Sequence, residues 1–519
     1  MSESNGLPKG WVRTTLGTIH QDHAVGITPG DEPERQFELY SVPSFPAGIP
    51  EIVLGKDVGS SKQKVAPDAV LVCKINPRIN RIWVVGNHTN FPKIASTEWI
   101  PFWPVSEILP HYLCYYLRQH SFRDYLAANA SGVGGSLMRV KAATLASYPL
   151  CLPPHREQRR IVAKIEELFS DLDAGVAALE RVKANLKRYR AAVLKAAVEG
   201  KLTEKWRAEH PNTEPASKLL ERILAERRKK WEASQLAKFA AAGKEPPKNW
   251  RDKYQEPAAP DTANLPKLPK GWCWATVEQM NIAERPVSYG VLQPGPDLSD
   301  GVPLIRVGDV ADGKVAVDQL KRIAPEISAQ YQRTIVQGGE VLLTIVGTIG
   351  RTAVVPQSAS GANTARAVAV IPVTPLTDSR YVELCLRDPR MRARLTGAAH
   401  EVARKTLNLE DVRPAAIPFA PSQEQAQVIA EAERRLSVVE QNETALDHGI
   451  ARASRLRQSI LKRAFEGKLV PQDPQDEPAS VLLERIKAER DGNEHAKPFV
   501  PKRGRRGSGS AGVSPARSS

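Results

Sequence analysis

Cysteine is scarce and unpatterned. The chain has five in 519 residues: Cys73, Cys114, Cys151, Cys273 and Cys385. None forms a C-x-x-C pair, so neither a zinc ribbon nor a disulfide framework organises it. Long apolar runs are also missing. None approaches the ~18 residues of a membrane-spanning helix; the most apolar stretch, Val341–Gly350, is strand-length and ends in glycine. The opening MSESNGLPKGW lacks a basic region followed by an apolar one, so no secretory signal is read there. A reduced, soluble, cytoplasmic protein with no membrane partner is expected.

The motifs of common catalysts are absent as well. Gly200-Lys201 and Gly467-Lys468 are each followed by Leu, so no G-x-x-x-x-G-K-[ST] phosphate loop exists. His400-Glu401 opens an H-E-x-x-H zinc motif, but Arg404 stands where the second His belongs. Asn76-Pro77-Arg78 lacks the second Pro and the aromatic of the loop that holds a flipped adenine in amino-methyltransferases. Gly132–Gly135 lies beside Ser and Arg, not between a first strand and a helix, so it is no S-adenosylmethionine loop. No pair of carboxylates with a nearby Lys reads as a nuclease centre. The ten His show no metal spacing. No catalytic residue, cofactor site or metal site is expected in this chain.

Acidic residues are the last deficit. There are 58 Asp+Glu against 73 Lys+Arg, a net charge of +15, although total charge is an ordinary 25%. The bias is one of sign, and it suggests a polyanionic partner. The length suits three to four domains.

What is present is written twice. Leu7-Pro8-Lys9-Gly10-Trp11 recurs as Leu268-Pro269-Lys270-Gly271-Trp272. Glu157-Gln158 recurs as Glu424-Gln425, and Glu199-Gly200-Lys201-Leu202 as Glu466-Gly467-Lys468-Leu469, both at an offset of 267. Glu214-Pro215-Ala216-Ser217 recurs as Glu477-Pro478-Ala479-Ser480. A constant offset from Glu157 to Leu202 means no insertion is tolerated there. A continuous helix behaves so, because one added residue rotates its buried stripe by about 100°.

Residues 161–196 carry that helix. Apolar residues from Ile161 and Ile165 through Leu172, Leu179, Leu186 and Val193 alternate steps of four and three, a coiled-coil seam weakened at Gly175. The copy, 428–464, is poorer: Arg435 and Asn442 fall on seam positions, where a polar residue often fixes register. The best partner for one rod is the other; two ordinary bundle helices are the blander alternative. After each rod comes a second amphipathic helix, the first running from Ala216 to about Lys238. A Pro/Ala-rich linker follows the first, and the basic tail PKRGRRGSGSAGVSPARSS follows the second.

Between the frames lie two variable inserts, 12–152 and 273–419, each strand-rich with helices to one side. The first reads as strands in Val65–Ile75 and Arg81–Val85 and a helix at about 106–128; the second as strands at Val302–Val307, after Gly339 and at Ala367–Val373, and a helix Tyr381–Leu395. Basic residues stand at strand ends and beside glycines: Lys74, Arg78, Arg81 and Arg139 in the first, Arg306, Arg351 and Arg366 in the second. Tyr289 joins them as a DNA-binding candidate. A guanidinium grips a phosphate or a guanine edge with two hydrogen bonds. For any one Arg a solvated surface is the simpler reading; the clustering is the signal.

These motifs resemble the specificity (S) subunit of type I restriction–modification systems over nearly the whole chain. The carriers are Leu-Pro-Lys-Gly-Trp, Pro153-Pro154-His155-Arg156-Glu157-Gln158, the Glu-Gly-Lys-Leu rod ends, Lys74–Arg78 and Gly339–Gly350. Pro421-Ser422-Gln423-Glu424-Gln425 is a looser version of the second. The resemblance implies an α+β fold: two target recognition domains joined by two long helices in an antiparallel coiled coil, with a pseudo-two-fold repeat. The implied divisions are 1–152 and 268–419 for the recognition domains, and 153–203 and 420–470 for the rods. Residues 204–267 form the second helix and linker, and 471–519 a short helix and disordered tail. It implies that the two domains read the halves of a bipartite double-stranded DNA site. Two modification (M) subunits would carry S-adenosylmethionine and the adenine methylation, and restriction (R) subunits would carry ATP and Mg. A methyltransferase or endonuclease with degenerate motifs is the alternative, and a purely structural coiled-coil protein a third reading.

Overall fold

A computed structural model describes residues 6–20, 25–132, 138–401 and 405–495. The basic tail, residues 133–136 of the Gly/Ser loop and Arg404 lie outside the described residues. The chain divides into two compact units, Met1–Ala178 with Gly449–Ser519, and Leu179–His448. Each is α+β. Each takes one half of two 44-residue helices, His155–Val198 and Ser422–Phe465, here called the first and second rod. At 1.5 Å per residue each is about 66 Å long. Among the described residues no helix is long and apolar enough to cross a membrane.

The first rod begins six residues ahead of its seam. Pro153-Pro154 cannot sit inside a helix but can precede its first turn, and Gln158 N–H already bonds the Pro154 carbonyl at 2.9 Å. The rod stops at Gly200, whose φ of +66° favours glycine. There Lys201 N–H reaches the Ala196 carbonyl (2.8 Å) and Gly200 N–H the Ala197 carbonyl (3.1 Å). The second rod ends identically at Gly467, φ +68°, with Lys468 N–H on Arg463 (2.8 Å) and Gly467 N–H on Ala464 (3.1 Å). A Cβ on Gly200 would come within 2.7 Å of Pro269, and one on Gly467 within 2.3 Å of Pro8. Each unit thus seats the Leu-Pro-Lys-Gly-Trp motif of one half on the Glu-Gly-Lys-Leu turn of the other.

Within each unit the rods pair antiparallel. In the second, Lys183 bonds Asp447 and Arg190 bonds Glu443, each at 2.5 Å. In the first, Arg457 pairs with Asp173. The seam is buried where it meets a domain, at Ile161, Ile165 and Val193. Between these it is thin: Val182 and Tyr189 are each 46% exposed. The polar seam residues do not bridge the rods. Arg435 pairs with Glu431 of its own helix (2.6 Å) and Asn442 bonds the Val438 carbonyl (2.8 Å). The interhelical ion pairs mark the register instead.

The two domains share one strand plan. A two-stranded entry pairs Val12–Thr15 with Pro149–Leu152, and Cys273–Thr276 with Ala416–Phe419. One sheet sets Gln36–Tyr40 parallel to Lys93–Ser96; its counterpart sets Val302–Ile305 parallel to Asn363–Thr364. The other orders Ile82–Val84, Val70–Cys73 and Trp99–Phe102; its counterpart orders Thr352–Val354, Val341–Thr344 and Val368–Ile371, with Ser288–Tyr289 added.

Two sequence expectations are corrected, and one segment proves more ordered than its composition suggests. The helix expected at 106–128 is two, Pro110–Leu117 and His120–Ala128, parted at Gln119, whose ψ is 151°. The helix Tyr381–Leu395 is likewise two, Ser379–Arg387 and Pro389–Ala398. Pro389 drives Asp388 out of helical conformation (ψ 131°), and the Asp388 carboxylate caps the next helix. The linker after Ala216–Ala241 is folded in part. Trp250 is buried, 6.0 Å from the Trp231 ring, and Tyr254 lies 5.2 Å from it.

Candidate nucleic-acid interface

In the first unit the strands Val70–Cys73 and Ile82–Val84 end on the segment 74–81. Lys74 N–H bonds the Glu98 carbonyl (2.9 Å), Cys73 N–H the Arg81 carbonyl (3.1 Å) and Val140 N–H the Lys74 carbonyl (3.0 Å). Arg139 pairs with Ile75 across a bridge. Lys74, Arg78, Arg81 and Arg139 are therefore gathered at one end of the sheet. Arg78 sits in a single 3-10 turn, Pro77–Ile79, between Asn76 and Asn80 at φ +50° and +51°. Asn tolerates that left-handed conformation better than other side chains.

The second unit repeats this wiring. Ile345 N–H bonds the Ala367 carbonyl (2.9 Å), Thr344 N–H the Arg351 carbonyl (2.9 Å) and Leu407 N–H the Ile345 carbonyl (2.8 Å). Val346 bridges Thr406. Bond by bond, Arg351 occupies the place of Arg81, and Thr406 the place of Arg139. Tyr289, Arg306 and Arg366 come to the same end. Arg366 N–H bonds the Val291 carbonyl (2.8 Å), and Ala365 N–H the Ile305 carbonyl (2.9 Å). Gly290 makes that crossing possible: a Cβ there would stand 1.8 Å from the Thr364 carbonyl oxygen.

The cations differ in how free they are. Arg139 grips Glu98 with two bonds, 3.0 and 3.3 Å, and Arg306 grips Asp309 likewise, 3.1 and 3.2 Å. Each guanidinium can take an outside anion only by releasing its carboxylate or by sharing its donors with it. Arg81 and Arg351 each send one long bond, 3.4 Å, to a backbone carbonyl. Lys74 and Arg366 enter no ion pair among the described residues. Tyr289 is 49% exposed. Such an end can offer bidentate donors to phosphates and base edges, with one aromatic edge.

Three basic residues at these ends escaped the sequence reading. Lys62 pairs with Ser96 at the first sheet's end, and burial lowers its pKa. Lys321 lies opposite Leu304, and Lys405 beside Gly347. Only strand register places them there, and nothing in the local sequence signals it.

No protein-family model matches the chain. It is 33% identical over 381 residues to the specificity subunit of the type I restriction enzyme EcoBI of Escherichia coli, covering 72% of this chain and 71% of that one. It is 23% identical over 516 residues to the EcoKI specificity subunit of Escherichia coli K12, covering 93% and 96%. A chain from a solved structure on complex assembly and conformational transition of the type I R-M system superposes with a TM-score of 0.61 at 18% identity, covering 89% of this chain and 99% of that one. The fold is shared with that chain, and by its likeness to EcoBI this protein belongs to the family of type I restriction enzyme specificity subunits.

Proposed function

We propose that this chain is the DNA-reading, non-catalytic subunit of a cytoplasmic type I restriction–modification complex. Each unit's basic strand end reads one half of a split, asymmetric double-stranded site. The observation that carries this is the repeated wiring: one backbone scaffold presents different side chains at twin positions, such as Arg139 and Thr406. Phosphate contacts then position, and the differing side chains specify. Lys74, Arg78, Arg81 and Arg139 act on one half-site; Tyr289, Arg306, Arg351 and Arg366 act on the other.

The rods set the separation of the half-sites and dock two modification subunits. Val182, Tyr189, Val438 and Leu456, each 46–50% exposed on the rods, supply apolar docking surface. S-adenosylmethionine and adenine-N6 methylation belong to those subunits, and ATP and Mg to restriction subunits that join them. The degenerate-enzyme alternative has no observation in its favour.

The test is the methylated sequence in cells carrying the complex, mapped by single-molecule sequencing. Replacing residues 12–152 with another member's insert should change one half-site only. Inserting four residues between Leu172 and Leu179, close to one full helical turn and so a rotation of only about 40° at the seam, should change the spacing and leave both halves intact. A swap that altered both halves, or an insertion that left the spacing unchanged, would refute the proposal.

A further inference from the structure

The twin domains can be matched side chain by side chain. Tyr112 donates its hydroxyl to the Cys151 carbonyl at 2.7 Å, and Tyr381 donates to the Pro418 carbonyl at 2.9 Å. Arg13 lies opposite Cys151 as Trp274 lies opposite Pro418. Around Tyr112 the first unit packs five further rings: Tyr116, Phe122, Tyr125, Tyr148 and Phe465. Neighbouring centroids are 4.8–6.3 Å apart. The matching positions of the second unit are Cys385, Met391, Arg394, Ala415 and Val198. Every ring has been lost.

The space has not closed. A cleft of about 450 Å³ remains in the second unit, lined by Val198, Cys385, Met391, Arg394 and Trp274. That is the size of an ordinary small-ligand pocket. Its mouth is positive: Lys201, Lys267, Arg390 and Arg394 face only Glu199 and Asp388. Arg390 engages both of those carboxylates, at 2.8 and 3.3 Å. Lys267 and Arg394 are left without an ion pair among the described residues.

We propose that this cleft binds an anionic aromatic small molecule. The flat ring takes the space that the first unit fills with its own rings, beside Trp274. The carboxylate or phosphate meets Lys267 and Arg394. An apolar floor with a few charged groups at its rim supplies affinity from the ring and selectivity from the charge. The site is separate from the basic strand ends and does not depend on how they read DNA.

The test is calorimetry on the full chain with indole-3-acetate, and with indole as the uncharged comparison. Saturable binding of indole-3-acetate is expected, at least tenfold tighter than indole. Arg394→Gln should erase that preference. Cys385→Tyr, which restores a ring of the first unit, should abolish binding of both. Met391→Phe provides the same blockade by a milder change, should Cys385→Tyr fail to fold by circular dichroism. Absence of saturable binding at millimolar indole-3-acetate would overturn the proposal. So would undiminished binding in the folded blocking variants.

Discussion

Two buried glutamates hold equivalent posts in the two units and are treated very differently. Glu157 and Glu424 both stand in the first turn of a rod and are each 1% exposed. Both accept the indole N–H of the Trp in Leu-Pro-Lys-Gly-Trp, at 3.0 Å from Trp11 and 2.8 Å from Trp272. There the likeness stops. Glu424 also accepts from Thr203 (2.7 Å) and twice from Arg207 (2.8 and 2.9 Å). Glu157 has one oxygen, Oε1, with no hydrogen-bond partner. The nearest cation, Arg160, turns to Asp476 at 2.6 Å. The repeat therefore preserves the Trp–Glu clasp but not its electrostatic completion. The clasp ties the first turn of each rod to a Leu-Pro-Lys-Gly-Trp motif, and the charges around it differ between the units.

The largest expected effect tests that difference directly. Glu424→Gln leaves the Arg207 guanidinium, only 21% exposed, without its counter-charge. Removing one partner of a buried pair costs about 3 kcal/mol. Glu157→Gln leaves no cation stranded and keeps an oxygen for Trp11, so its cost should stay within about 1 kcal/mol. Urea unfolding of the two variants measures both. Equal losses would show that the clasp, not the ion pair, dominates.

The basic strand ends give the next comparison. Arg81 and Arg351 are backbone twins at the starts of matching strands. Arg81→Ala and Arg351→Ala should each cost about 1–3 kcal/mol of DNA binding, about 5- to 160-fold, on opposite half-sites. Arg139→Ala should cost less, because Glu98 already engages its guanidinium through two bonds. Competition binding against DNA altered in one half at a time separates these outcomes. Loss on the same half-site in both twins would break the assignment of one unit to one half.

Much of this was legible in the sequence, for stated reasons. A helix that tolerates no insertion, bounded by Pro and Gly, announces itself, and both rods lie where the constant offset puts them. The Trp and Glu landmarks are one clasp seen from its two ends. Other features were hidden. The breaks at Gln119 and Asp388 interrupt apolar periodicity only slightly, and a Pro at a first turn reads as easily as helix start as helix end. Arg435 and Asn442 looked like register devices because seam position is visible in sequence while side-chain direction is not. The partner of Arg139 was hidden too: Glu98 is 41 residues away. The folded linker around Trp250 was obscured by its Pro content.

The smallest effect is a slope, and it follows from the unsatisfied oxygen. Burial is the main influence on Glu157 and raises its pKa above the ordinary 4.5; the Asp476 charge adds to this, while the Trp11 bond and Arg160 work against it. A carboxyl with a raised folded-state pKa keeps its proton in the native chain where the unfolded chain has lost it. Its stabilising contribution is complete below 4.5 and is lost as pH rises through the folded value. Gln carries no proton to lose. The stability of the unsubstituted chain relative to Glu157→Gln should therefore fall from pH 4.5 upward and level off once Glu157 is ionised in the native state. Chemical denaturation of both proteins across that range gives the difference curve. A flat difference would mean that Glu157 ionises alike in the native and unfolded chains, and that Oε1 is satisfied in solution as fully as the carboxylate of its twin.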